Sequence, residues 1–389
     1  MQNLPENPAS IQLTAEALAH SDTVTHHLRQ CIEQAGGWVS FADWMAEALY
    51  APGLGYYAAG SQKLATRQTL SQPRSAAGDF VTAPELSKAF GFTLAQQVAD
   101  VLRQCSSPSI LEFGAGSGQL AHDVLTALAA MGIKPTYHIL DVSADLANRQ
   151  QQCLSVFGEQ VRWINALPDT FEGVVLANEV LDAMPVHLVG WSDQHTVFER
   201  GVIWQNNQFA WQDRVATPLL TAALSQKMPA LPGYLTEINL QAQAWVNGMS
   251  TWLKKGVALL IDYGFPSAEY YHPQRHQGTL MCHVQHRSHA NPLIFPGLQD
   301  ITAHVDFSAI ADAAFDAGLD VLGYTSQARF LLNAGILELL DKQADTDRRG
   351  LDKLLSEAEM GELFKVLAVG KGIDTSLRGF ARGDRLHQL

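Results

Sequence analysis

Four residues that could do chemistry fall close together: Glu112, Gly114, Gly116 and Gly118, with Ala115 and Ser117 between the glycines. They follow the short apolar run ending at Phe113 and precede the helical pattern that begins at Gln119. Glycines in such a place let the backbone turn sharply and let a ligand approach where a Cβ would clash. Two nucleotide chemistries fit the loop. A dinucleotide fingerprint is GxGxxG, with helix amides facing a pyrophosphate. Here the third glycine comes one position early, and a carboxylate stands two residues before the first.

Glu112 would repel a pyrophosphate. It suits a cofactor with an ammonium group at its amino-acid end and a cationic sulfur, which describes S-adenosylmethionine. Asp141 lies 23 residues beyond Gly118, at the end of the next apolar run. There a carboxylate can accept both ribose hydroxyl protons, so it serves a nucleoside cofactor of either kind. The plainer alternative is a tight strand-to-helix turn with no ligand; Glu112 and Asp141 in register argue against it.

A second group begins where Val174–Ala177 gives way to Asn178, Glu179 and, three residues on, Asp182. A buried strand running into polar residues places Asn178 and Glu179 at the ligand crevice of an open α/β sheet. For Asp182 an Asx turn or helix cap competes evenly with a site role. Methylation of exocyclic base nitrogens would require an Asn/Asp-Pro-Pro-aromatic tetrapeptide, and Asn178 to Leu181 is not that. His283, His286 and His289 are spaced by three. No metal is expected there, because nearby acids or cysteines do not complete a ligand set. The four cysteines, Cys31, Cys105, Cys153 and Cys282, form no CxxC pair and read as reduced thiols.

Residues 14–34 and 40–50 predict helices, the second with Ser40 as N-cap. Residues 60–78 carry Lys63, Arg67 and Arg74 and no acid, which predicts a mobile loop or a substrate lid. A helix is expected over 84–104. Short apolar runs at 109–113, 137–140, 161–164, 174–177 and 257–261, alternating with helical patterns, predict parallel strands buried on both faces and a doubly wound α/β sheet. A hairpin is expected to turn at Asn206 and Asn207, with Trp191, Trp204 and Trp211 packing around it. The expected division is an N-terminal helical cap and lid loop over 1–105, a sheet domain over 106–185 and 257–389, and an insertion over 186–256.

The chain has 389 residues, 47% of them hydrophobic and 17% charged, which excludes a mainly disordered or fibrous protein. Its 26 basic and 39 acidic side chains give −13 at pH 7, a field that opposes nucleic acid and anionic membrane. No apolar run approaches the ~18 residues of a membrane span, and the first 20 residues lack a signal-peptide pattern. A cytoplasmic protein is the expectation.

The chain resembles the MidA-like S-adenosylmethionine-dependent methyltransferases, whose mitochondrial members assist assembly of respiratory complex I. The resemblance rests on ordered segments across residues 36–370: Gly78 to Ser87, the glycine loop, Ala177 to Pro185, Asp262 to Gly264, Gly278 to Leu280, His286 and Arg287, Asp300 to Phe307, and Gly361 to Val366. This chain departs from the family pattern at Ala115 and Ala144, where proline is common, and at Asp141, where glutamate is common. None of the three removes a needed functional group.

The resemblance implies a class I methyltransferase fold, Rossmann-like, with S-adenosylmethionine as cofactor and Glu112, Gly114, Ala115, Gly116, Gly118, Asp141 and Asn178 around it. It also implies methylation of a protein arginine, since mitochondrial relatives make symmetric dimethylarginine on a complex I subunit. A guanidinium holds its charge above pH 12, so its methylation needs carboxylates to orient it and assist proton loss. Glu179, Asp182 and Asp79 are the expected catalytic carboxylates, with Glu85, His286 and Arg287 on the substrate side. Two other readings stay open: methylation of a different protein or small-molecule nucleophile, and an assembly factor that binds cofactor without turnover. The loop spacing disfavours a dehydrogenase.

Overall fold

The computed structural model describes residues 11, 13–59, 82–141, 144–285, 287–341, 348–373 and 376–389. The expected loop over 60–78, Asp79 and His286 therefore lie outside the described residues. The chain separates into two compact units: residues 1–61, 182–242 and 267–304 form one, and residues 62–181, 243–266 and 305–389 the other.

The second unit is built on an eight-stranded mixed sheet. Its parallel part contains β2 (Ser109–Phe113), β3 (Thr136–Leu140), β4 (Val161–Trp163), β5 (Phe171–Asn178) and β10 (Leu253–Phe265). Across the sheet these run β4-β3-β2-β5-β10, followed by antiparallel β16 (Phe364–Lys371) and β15 (Asp320–Ser326); β14 (Val305–Asp306) adds to the end of β10. The order reverses between β2 and β5, which places their carboxyl ends at a topological switch point. A doubly wound sheet of this kind is the fold expected from the sequence.

Five expected strands are present, but burial on both faces holds only toward the centre. In β3, Tyr137 and Ile139 are buried whereas Thr136, His138 and Leu140 are partly exposed. The physical reason is the short connection over 164–170, which carries no helix to cover that face near β4. The other face is closed by α4 (Lys88–Leu102) and α5 (Gln119–Ala130), whose Phe90, Leu94, Val98, Leu120 and Val124 share a core with Ile110, Ile139 and Val174. Truncating Leu94 to alanine there would cost about 2–5 kcal/mol.

The helix expected over 84–104 is two helices, α3 (Ala83–Leu86) and α4. Ser87 interrupts them with extended backbone, φ −159° and ψ 136°, and its hydroxyl accepts from Ala89 N–H at the new N-terminus. The expected division grouped these helices with the N-terminal cap; their core contacts put them in the sheet unit. Helix α6 (Ala144–Leu154) follows β3, and α8 (Leu240–Trp252) leads into β10 with Trp245 edge-on to Phe113 and Trp252 edge-on to Phe171.

In the first unit, α1 (Ala15–Gln34) and α2 (Phe41–Tyr50) match the expected helices, and the Ser40 hydroxyl accepts from Asp43 N–H as the cap. Strands β1 (Val39–Ser40), β6 (His187–Trp191), β7 (Val197–Gln205), β8 (Gln208–Val215) and β9 (Leu235–Ile238) form one antiparallel sheet, accompanied by α7 (Pro218–Lys227). The hairpin turns where expected, at Asn206 (φ 52°) and Asn207 (φ 59°), the left-handed pair a two-residue turn requires. Trp211 packs on Phe41, and Phe209 contacts both Trp44 and Trp204. A three-stranded sheet of β11 (Met281–Val284), β12 (Arg287–His289) and β13 (Asp300–Thr302) completes the unit. It holds residues 267–304, which the expected division placed in the sheet domain. Among the described residues, no helix is long and apolar enough to cross a membrane.

Candidate functional site

The glycine loop leaves the carboxyl end of β2 with three left-handed residues in alternation: Gly114 at φ 62°, Gly116 at 55° and Gly118 at 85°. Alternate left-handed glycines give a turn whose amides and Cα atoms stand bare. Gly118 is also the N-cap of α5, and a Cβ built on it would lie 3.3 Å from Gln150 Cα. Ala115 between them is buried.

Glu112 sits beneath the loop, buried, and its Oε2 accepts from the Tyr137 hydroxyl at 2.8 Å. Burial pushes its carboxyl up from 4.5 to about 8; the Tyr137 hydrogen bond opposes this and the Asp141 charge adds to it. A carboxylate so placed gains most from a nearby cation, which would restore its ionised form.

Asp141, at the end of β3, and the loop are tied together by a residue the sequence did not single out. Gln150 on α6 is fully buried, and its Nε2 donates to Asp141 Oδ2 at 2.8 Å and to the Gly116 carbonyl at 3.0 Å. Its Oε1 accepts from Trp163 Nε1 at 2.9 Å. An indole only donates, so Trp163 fixes which way the amide faces.

Ser117 in the loop donates to Glu85 Oε1 in a short hydrogen bond. Glu85, expected on the substrate side, is thus buried against the glycine loop.

At the end of β5, Glu179 has a left-handed backbone, φ 55°, uncommon for a residue with a Cβ. Its N–H donates to the Ile261 carbonyl of β10 at 2.9 Å. Its Oε1 accepts from Asn178 Nδ2 at 3.1 Å and from Ala83 N–H at 3.4 Å. Beneath this turn Asp262, fully buried, accepts from Val180 N–H at 3.2 Å and Leu181 N–H at 2.9 Å through Oδ2, and from Tyr263 N–H through Oδ1. Asp262 belongs to the Asp262-Tyr263-Gly264 segment, but its sequence position said nothing of this capping task.

The sheet unit therefore gathers Glu112, Gly114, Ala115, Gly116, Gly118, Asp141, Asn178, Glu179 and Glu85 on β2, β3, β5 and α3. Asp182 and Arg287 belong to the first unit. There Asp182 is buried, and its carbonyl accepts from Ala303 N–H at 2.9 Å. Its charge and that of Asp300, whose Oδ1 accepts from Tyr57, are secondary to burial in pushing the Tyr57 hydroxyl up. Of the expected histidine trio, His283 and His289 are held below their ordinary value by burial.

These residues fit S-adenosylmethionine by a test of donor chemistry. The Oδ1 of Asn178 is a buried acceptor with no partner among the described residues, and Glu112 and Asp141 are acceptors when ionised. Acceptors at both ends of a bare glycine turn suit an ammonium and a ribose diol rather than a pyrophosphate.

Comparison with known proteins agrees. A family model for S-adenosyl-L-methionine-dependent methyltransferases, Methyltransf_28, matches residues 93–325. A COG1565 superfamily member from Burkholderia thailandensis, solved with bound S-adenosyl-homocysteine, superposes with a TM-score of 0.90 at 48% identity, covering 100% of both chains. The Drosophila melanogaster mitochondrial protein arginine methyltransferase NDUFAF7 homolog is 28% identical over 381 residues, 87% of this chain and 82% of its own. The Homo sapiens protein arginine methyltransferase NDUFAF7 is 27% identical over 389 residues, 88% of this chain and 82% of its own. With the family model spanning more than half its length, this chain belongs to the S-adenosyl-L-methionine-dependent methyltransferases of the Methyltransf_28 family, the MidA-like enzymes its sequence resembles.

Proposed function

We propose that this methyltransferase transfers methyl groups to arginine side chains of a protein, with a respiratory complex I type subunit as the first acceptor to test. The observation that carries the reading is the left-handed backbone of Glu179. A strained conformation held by Ile261 and Asp262 marks a side chain whose direction matters more than its backbone comfort. Relatives at 27–28% identity that are named protein arginine methyltransferases support the choice of acceptor.

When bound, the cofactor supplies a methyl group on a cationic sulfur. Gly114, Gly116 and Gly118 leave the turn bare for it, Asn178 and Glu112 favour its ammonium group, and Asp141 accepts from its ribose. Glu179 accepts two charge-assisted hydrogen bonds from the guanidinium and fixes the plane of the acceptor nitrogen. The proton of that nitrogen is lost as the methyl group arrives, and substituting Asp182 and Asp79 one at a time tests their expected part in this, as substituting Arg287 and His286 tests theirs on the substrate side.

Mass spectrometry of native proteins from a strain lacking this chain tests the acceptor. The expected result is loss of arginine methylation at a small set of sites, restored by the wild-type chain. Arginine methylation unchanged across the proteome, complex I type subunits included, would remove the proposal.

A further inference from the structure

Within the first unit, three metal-ligating side chains meet where α1 packs beside α2. His27 and Cys31 stand one turn apart on α1, and Glu47 faces them from α2. His27 Nε2 lies 2.7 Å from Glu47 Oε2 and 3.7 Å from Cys31 Sγ, and the three donor atoms all lie within 4.8 Å of one another. All three residues are partly exposed, so a cation can reach them and a water can complete the coordination.

We infer that His27, Cys31 and Glu47 form a binding site for a divalent cation of the zinc class, joining α1 to α2. The geometry is close to what such an ion needs. With Zn–N and Zn–O bonds of about 2.0 Å and a Zn–S bond of about 2.3 Å, a tetrahedral site spaces N from O by about 3.3 Å and N from S by about 3.5 Å. The observed 2.7 and 3.7 Å depart from these by about 0.6 and about 0.2 Å. The separation of Glu47 from Cys31 closes by turning a carboxylate at the end of a flexible stem. One imidazole, one thiolate and one carboxylate is a donor set that favours zinc over calcium or magnesium, which take oxygen ligands.

Binding releases the thiol proton to solvent, shifts the His27 ring proton from Nε2 to Nδ1 through solvent, and replaces the His27–Glu47 hydrogen bond by two bonds to the ion, so the charge of Glu47 and of the thiolate is neutralised in place. Leu28 and Ile32, buried on the adjacent face of α1, hold the helix in register while this happens. The three residues belong to the first unit, whereas the glycine loop belongs to the second.

The test is titration of the full-length chain with zinc chloride in competition with a chromophoric chelator, and with cobalt chloride by absorption spectroscopy. One cation per chain is expected at the site, with His27→Gln, Cys31→Ser and Glu47→Gln each weakening zinc by at least about 30-fold. Cobalt should give a thiolate-to-metal band in the near ultraviolet and strong visible bands of a four-coordinate ion, both lost in Cys31→Ser. Thermal unfolding without metal confirms that each variant is folded. Equal zinc affinity in wild type and Cys31→Ser, or a cobalt spectrum without the thiolate band, would overturn the assignment.

Discussion

Gln150 donates to the Asp141 carboxylate at 2.8 Å while the same nitrogen donates to the Gly116 carbonyl, so one buried amide sets the distance between the glycine turn and the acid that follows β3. This tie accommodates the aspartate in place of the family's commoner glutamate: the shorter side chain is held from α6 rather than left to find its own rotamer.

Replacing Gln150 by leucine keeps the volume and removes all three hydrogen bonds. Each buried group left without its partner costs about 1–3 kcal/mol. S-adenosylhomocysteine should bind about 10- to 100-fold more weakly by calorimetry, and Trp163→Phe, which removes only the orienting bond, should lose less. Equal affinity in wild type and Gln150→Leu would show that the amide does not set the cofactor site.

Gly116→Val would place a β-branched residue at φ 55°, a conformation costly for any residue with a Cβ. Cofactor binding should fall below detection while the circular dichroism spectrum stays that of an α/β protein. Undiminished binding of S-adenosylhomocysteine would reject the placement of the cofactor at this turn.

The Glu112 carboxyl gives a pH signature. Its folded value, about 8, is above its ordinary 4.5, so between these values the unfolded chain ionises while the folded one stays protonated. The contribution is therefore fully present below about pH 4.5 and is lost as pH rises to about 8, up to about 5 kcal/mol as an upper bound. Glu112→Gln keeps an acceptor for Tyr137 and cannot ionise. Urea unfolding without cofactor should show the variant gaining on wild type from pH 5 to pH 8; a constant difference would contradict the shift.

Asp262→Ala removes the acceptor that holds Val180 and Leu181 amides below Glu179. Turnover should drop at least about 30-fold while cofactor affinity changes only a few-fold, because Asp262 caps the acceptor-side turn rather than the glycine loop. Parallel loss of both would make Asp262 a general support of the sheet instead.

Much of this was legible in the sequence because it depends on local rules. Glycines in alternation after an apolar run, and Asn206-Asn207 between two strands, require left-handed backbone that few residues supply. Ser87 was not legible as a helix break, since serine flanked by leucine, lysine and alanine is compatible with a continuous helix until its hydroxyl is seen capping Ala89. Gln150 lies in Arg149-Gln150-Gln151-Gln152, which reads as a solvated helix face. Only tertiary packing distinguishes it from its neighbours. Glu85 was expected near the acceptor because of the segment it belongs to, yet its bond to Ser117 comes from the break at Ser87, which no periodicity signals.

Glu179 is proposed to orient an arginine acceptor at this cofactor site. This role is tested most directly by incubating wild type and Glu179→Gln with methyl-labelled S-adenosylmethionine and protein extract from a strain lacking the chain, then hydrolysing the labelled protein to amino acids. Label in methylarginine is expected with wild type, and at least about 100-fold less with Glu179→Gln although that variant still binds S-adenosylhomocysteine within a few-fold of wild type. Label in another amino acid, or near-normal labelling by Glu179→Gln, would contradict it.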